Sequence, residues 1–240
     1  MTLLWSCSLP DYPENQGGLA ITWDVENRGS LAAWYEDRDH VNRFGVPFTF
    51  YVCVPTLSDE DVAILKEFRQ DGHEIGFHSR SHMNPVSYIY VKGHTIDEYL
   101  NLEIIPGIED FQSHDLELRS YAFPSAQHFT KLDNRLYEYF DSLRSVTLFI
   151  DWCFYKFDAK RMVYAYWIDH LSMLDEQEQI NQIFLGLEQA KKRGWVLILY
   201  GHRIGSGNTP NVTASTKLER IIEYARQLDL TFYRMSDLYE

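Results

Sequence analysis

Five apolar runs end in polar or ionisable side chains. They read Thr22-Trp23-Asp24-Val25-Glu26, His78-Ser79-Arg80-Ser81-His82, Tyr121-Ala122-Phe123-Pro124, Phe149-Ile150-Asp151-Trp152 and Tyr200-Gly201-His202. His78 and His82 stand four apart. On one helical turn that spacing puts both imidazoles on one face, where they can share a metal ion. A carboxylate from another strand end would complete the ligand set. Asp24 and Glu26 stand two apart at a strand tip and so point to the same side. One could bind the metal while the other takes a proton from water, the division of labour that metal-assisted hydrolysis needs. His202 could protonate a leaving amine. Asp151 could hold His202 in its charged form, because a nearby carboxylate raises an imidazole pKa. Trp152 could wall a small apolar pocket, with Phe123 and Tyr200 as further candidates. Each piece alone has a plainer reading, as a core histidine, a solvated acidic turn or a helix cap. Their shared position at strand ends is what draws them together.

The elements that must carry these groups alternate along the chain. Strands are expected at Leu19 to Trp23, Pro47 to Val54, His73 to His78, Ser120 to Phe123, Val146 to Ile150, Met162 to Trp167, Val196 to Tyr200 and Leu230 to Tyr233. A helix is expected after Ser58, with Asp61 completing a capping-box-like pair and Gly72 ending it. A longer helical region begins near Thr95 and is expected to break at Pro106. Further helices are expected at Lys131 to Phe140, Glu176 to Arg193 and Ser215 to Gln227. This alternation implies a largely parallel α/β sheet or barrel. Functional groups then gather at the C-terminal ends of the strands. No repeat or linker divides the chain, so residues 1–240 are expected to form one domain.

Composition narrows the partners. Lys and Arg number 22 against 35 Asp and Glu, a net charge of −13 over 240 residues. That balance argues against nucleic-acid and anionic-membrane partners. Aromatic residues make up 15%, which suits either a well-filled core or stacking platforms for a sugar. Cys7, Cys53 and Cys153 form no CxxC pair, and three free thiols suit a reducing cytosol. The N-terminal MTLLWSCSLP carries no basic n-region and is not expected to be a signal peptide. A cytoplasmic location is the expectation.

Taken together, the segments resemble the polysaccharide deacetylase superfamily, the NodB-homology or carbohydrate esterase family 4 type. The resemblance runs from Thr22 to His202 in the family's motif order. It implies a distorted (β/α)7 barrel and a metal-dependent hydrolase that removes acetyl groups, usually N-linked, from sugars. It implies Asp24 as catalytic base and His78 and His82 as ligands of a divalent ion, most simply Zn2+, with Co2+ or Ni2+ as alternatives. The family's metal-binding aspartate is replaced by Val25, so Glu26 becomes the expected third ligand, with Asp24 as the fallback. The arginine that usually orients the base is replaced by Ala122. Asp151-Trp152 matches the D-W of a later motif, and His202 is the implied general acid. Met162 to Trp167 would be an added strand. Without a leader, an N-acetyl sugar precursor of O-antigen or other surface-glycan synthesis is the implied substrate. Two rivals stand beside this reading. One is a catalytically degenerate carbohydrate-binding relative. The other is a metal-independent ring-amide hydrolase of the allantoinase-like branch.

Overall fold

Eleven strands and eight α-helices are assigned in a computed structural model that describes residues 17–170, 175–205 and 209–239. Cys7 and the N-terminal stretch lie outside these residues. In chain order the strands are β1 Gly18–Val25, β2 Thr49–Val52, β3 Glu74–Phe77, β4 Ser120–Ala122, β5 Ser142–Thr147, β6 Phe154–Tyr155, β7 Met162–Trp167, β8 Val196–Gly201, β9 Ile204–Gly205, β10 Thr213–Ala214 and β11 Thr231–Tyr233. The helices are α1 Arg28–Glu36, α2 Arg38–Arg43, α3 Asp59–Gln70, α4 Ile96–Tyr99, α5 Ile105–Ser113, α6 Thr130–Leu136, α7 Glu176–Arg193 and α8 Ser215–Gln227.

Seven parallel strands close a barrel in the order β1-β2-β3-β4-β5-β7-β8, with β8 returning to β1. This is the distorted (β/α)7 barrel. The distortion has a visible cause. β1 pairs with β2 only over Thr22 to Val25, and β11 fills the gap below by pairing with Gly18 to Ala20. β7 meets β8 only at Tyr166 and Trp167, and the antiparallel β6 fills the space below. Met162–Trp167 is therefore a barrel strand, not an addition to one.

Alternation sorts the side chains. On β1, Leu19, Ile21, Trp23 and Val25 join the core between barrel and helices, while Ala20 belongs to the barrel interior with Tyr51, Ala122, Ala165, Ile198 and Tyr200. Alanines interleaved with tyrosines and aliphatic side chains fill the narrow lumen of a small barrel. Val25 is thus spent on packing against the helical layer, and its neighbours Asp24 and Glu26 are left to face the mouth.

Three expectations need correction. The fifth strand is Ser142–Thr147, not Val146 to Ile150. Its first two interior-facing residues are Ser142 and Arg144, with Val146 the only apolar one, so the apolar alternation that marks a strand is largely missing from the sequence. Pro106 does not end the helical region. A π-helical turn at Leu100–Ile104 precedes α5 and leaves Pro106 in the first turn, where its absent N–H costs nothing. His78 and His82 do not share a helical turn. They lie on the loop after β3, with Ser79 at φ 64° and His82 at φ 57°. The α3 cap stands as expected, with Ser58 and Asp61 bonded reciprocally.

At the base of the barrel His73 is buried and stacked on Phe48, at 5.5 Å between ring centroids. Its Nδ1 accepts the Phe48 N–H at 3.1 Å, which makes Nε2–H the donor to Asn42 Oδ1 at 3.2 Å. Burial is the main cause that pushes its pKa down to about 4; the charge of Asp71 opposes this and that of Arg38 adds to it. Between pH 6.5 and 4 the unfolded chain binds the His73 proton and the folded chain does not. Stability is therefore lost as pH falls through that window, by about 3 kcal/mol at its lower end. Urea unfolding at several pH values should show a shallower acid decline for His73→Gln than for the wild type. Identical slopes would refute the linkage.

Candidate active site

Asp24 is the penultimate residue of β1, inside the mouth, and its side chain is 6% exposed. Arg144 of β5 donates to its Oδ1, and His78 Nε2 stands 3.8 Å from its Oδ2. Burial pushes the Asp24 pKa up. The positive charge of Arg144, with His78 and His202 adding to it, outweighs burial and holds the group below its ordinary value. Asp24 is thus an ionised, buried carboxylate.

Arg144 is fully buried, with its guanidinium 4.9 Å from the Tyr51 ring centroid and 5.0 Å from that of Tyr200. The two rings offer their negative faces to a cation withdrawn from water. Arg144 and Ala122 are register partners on adjacent strands. Arg144 thus reaches Asp24 from the strand beside Ala122, and the small alanine leaves it room in the lumen.

His78 is also buried. Its Nδ1–H donates to the Ala122 carbonyl at 2.9 Å, which fixes the tautomer and leaves the Nε2 lone pair facing the cavity. Burial foremost, with Arg144 and His82 adding to it against Asp24, pushes its pKa down to about 4. The His78 and His82 rings lie 4.8 Å apart. Glu103, 2% exposed on the π-helical turn, accepts both the N–H of Ser81 at 2.8 Å and the Ser81 hydroxyl at 2.5 Å. It clamps the loop between the two histidines. Sequence reading passed over it, since a π-turn has no clear periodic signature.

His202 follows β8. Its Nδ1 donates to Asp169 Oδ2 at 2.6 Å, and its Nε2 stands 3.6 Å from Glu26 Oε1. Burial lowers the His202 pKa. The Asp169 hydrogen bond and the charges of Asp24, Asp169 and Glu26 outweigh it, so the net shift is upward. Asp169, wholly buried two residues past β7, also accepts from Thr213 Oγ1 at 2.7 Å and Trp167 Nε1 at 3.2 Å. Gly201 permits this approach, because a Cβ there would lie 2.7 Å from Asp169 Oδ1.

Asp169 therefore occupies the place expected of Asp151. Asp151 sits in a short turn after β5 and lines a different cavity, together with Trp152. Asp24, Glu26, His78, His82, His202, Phe123 and Tyr200 all line one cavity of about 280 Å³. Trp152 does not. Left-handed φ at Ser125, Ala126 and Asn211, all lining residues, places backbone strain at this mouth.

Among the described residues no three His, Cys, Asp or Glu side chains form a ready-made metal cage. What stands there is a set of pairs. His82 Nε2 is 3.8 Å and His202 Nε2 3.6 Å from the same Glu26 oxygen. His82 and Glu26, with His78 whose ring lies 4.8 Å from that of His82, make a donor set of two imidazoles and a carboxylate that suits a divalent ion such as zinc, whose ligand atoms lie roughly 2 Å from the metal. Asp24 is the poorer candidate ligand, because Arg144 already holds it.

Residues 12–103 match the polysaccharide deacetylase family. Among curated proteins none matches the chain. The chain resembles the polysaccharide deacetylase superfamily in sequence and in fold. A protein from Mycobacterium smegmatis assigned to the polysaccharide deacetylases superposes with a TM-score of 0.64 at 17% identity, over 95% of this chain and 91% of that one. The chitin deacetylase of Colletotrichum lindemuthianum gives 0.60 at 11% identity, over 93% and 88%. A carbohydrate esterase family 4 pseudoenzyme from Bacillus anthracis gives 0.54 at 15%, over 95% and 66%. The same barrel fold thus occurs in a chitin deacetylase and in a pseudoenzyme, so the fold alone does not decide activity. Among the described residues no helix is long and apolar enough to cross a membrane.

Proposed function

We propose that this chain is a metal-dependent deacetylase that hydrolyses the N-acetyl group of an amino sugar in a glycan or glycan precursor. One observation carries the reading. An ionised carboxylate, Asp24–Arg144, and a carboxylate-supported imidazole, His202–Asp169, line the same cavity, with Glu26, His78 and His82 beside them. A lone proton acceptor with a separate proton donor is what amide hydrolysis asks for.

His78, His82 and Glu26 would hold the ion. When bound, a divalent metal polarises the acetyl carbonyl and acidifies water. Asp24 accepts the water proton as the oxygen–carbon bond forms. Arg144 keeps Asp24 oriented and ionised until then. His202 gives its proton to the sugar nitrogen as the carbon–nitrogen bond breaks. The products are acetate and a free amine. Asp169 fixes the His202 tautomer and stabilises its charged form. Val25 and Ala122, the two departures from the family pattern, are answered in this reading by Glu26 and Arg144.

The test is metal content and acetate release on the same preparation. The wild type is expected to hold about one zinc-like ion per chain and to release acetate from N-acetyl amino sugars. The His78→Ala, His82→Ala double variant should lose both. Metal bound without hydrolysis of any acetylated sugar would favour the degenerate, sugar-binding relative.

A further inference from the structure

Two polar side chains interrupt the apolar stripes of α7 and α8. α7 buries Ile180, Ile183 and Leu187, and Gln179 shares their face. α8 buries Leu218, Ile221 and Ile222, and Lys217 shares theirs. Gln179 and Lys217 are each 2% exposed. A polar group so deep costs stability unless it is bonded, and a cation in the first turn of a helix also meets the positive end of the dipole. Burial is the main cause that pushes the Lys217 pKa down to about 8; the charges of Glu176 and Asp169 oppose it. Packing alone would favour an apolar residue at both positions.

The two side chains meet at the end of β7. Lys217 Nζ donates to Gln179 Oε1 and, at 2.6 Å, to the Ile168 carbonyl. Gln179 Nε2 donates to the Trp167 carbonyl at 2.6 Å and, more weakly, to the Asp169 carbonyl at 3.5 Å. One pair drawn from two helices thus takes three consecutive carbonyls. The backbone held in this way carries Asp169, whose carboxylate takes the His202 Nδ1–H at 2.6 Å. We infer that Lys217 and Gln179 are positioning residues for His202: they fix the turn after β7 so that Asp169 keeps its aim on the imidazole. The inference rests on the deacetylase reading, in which His202 protonates the leaving amine, and deepens it. Neither side chain lines the catalytic cavity, so both act through Asp169. The aim has little tolerance, because a hydrogen bond weakens steeply as it leaves linearity and the same carboxylate must also meet Thr213 Oγ1 and Trp167 Nε1. A turn freed at Ile168 would let the carboxylate follow those two donors and leave His202.

The experiment follows the His202 Nδ1 proton of the full chain by nitrogen-15-edited magnetic resonance, with acetate-release kinetics in parallel. In the wild type this proton is expected to be protected from exchange with water. Lys217→Met and Gln179→Met nearly keep side-chain volume and extend the apolar stripes, so both variants are expected to fold. Each should speed exchange of that proton at least about tenfold and lower kcat per folded molecule by about tenfold, with KM unchanged. A residue that serves folding alone would move the unfolding midpoint and leave both readouts of the folded protein at the wild-type level. Exchange as slow in both variants as in the wild type, or as fast in the wild type as in the variants, overturns the inference even if acetate is released. Protection lost in the variants of a chain that releases no acetate keeps the positioning pair and removes the deacetylase reading.

Discussion

Asp24→Asn is expected to lower acetate release by about 10²- to 10⁴-fold, the usual worth of a positioned general base, while metal content stays at the wild-type level. An amide cannot take the proton of the attacking water. The metal survives because Asp24 is committed to Arg144, and the donors proposed for the ion are His78, His82 and Glu26. The same variant should lose stability. Arg144 is fully buried, and its Nε and Nη1 have no hydrogen-bond partner among the described residues. Removing the charge opposite a buried cation costs roughly 3–5 kcal/mol. The two effects separate by temperature: activity is assayed well below the unfolding midpoint, with circular dichroism confirming the fold. Near-wild-type turnover in folded Asp24→Asn would remove Asp24 as base. Lost metal together with lost activity would instead make Asp24 a ligand, the alternative that the sequence leaves open.

The barrel was legible because its signals are repetitive. Alternating apolar strands and amphipathic helices such as α3, α7 and α8, the first two capped by Ser58 and Asp175, fall close to where periodicity places them. The resemblance marked Asp24, Glu26, His78, His82 and His202, and the structure brings all five to one cavity. The residues that support them were hidden for physical reasons. Arg144 faces the lumen from β5, and a buried arginine there reads as an interruption of a strand rather than as part of one. Its partnership with Asp24 spans 120 positions and depends on strand register. Asp169 follows a strand that looked like an addition, and only the closure of β7 on β8 brings it to His202. Asp151 carried the local signal, a D-W pair after an apolar run. The chain turns at Leu148 and carries that pair onto the barrel's flank. Sequence motifs record which residue types a site uses; the supporting partners are chosen by the sheet.

That division gives the second large effect. Asp169→Asn is expected to lower kcat by about 10²-fold with little change in KM, whereas Asp151→Asn leaves hydrolysis of a single N-acetyl sugar unchanged. Asp169 takes hydrogen bonds from His202 Nδ1, Thr213 Oγ1 and Trp167 Nε1, with the His202 N–H at 3.3 Å as a fourth donor. Asparagine keeps one carbonyl oxygen for these donors and turns an amide toward one of them. If the amide faces His202, the imidazole must present a lone pair at Nδ1 and move its proton to Nε2. It then loses the hydrogen-bonded carboxylate at Nδ1 that stabilised its positive charge. The lost step is protonation of the leaving amine, which acts after substrate has bound, so kcat falls and KM does not. Loss of folded protein alone would also lower the apparent kcat at unchanged KM, so turnover is referred to the folded fraction measured by circular dichroism. Nitrogen-15 imidazole spectra of His202 supply the readout independent of turnover: the wild type should show a proton fixed at Nδ1, and Asp169→Asn should lose that preference. Equal losses in Asp151→Asn and Asp169→Asn would mean that support of His202 comes from the flank after all.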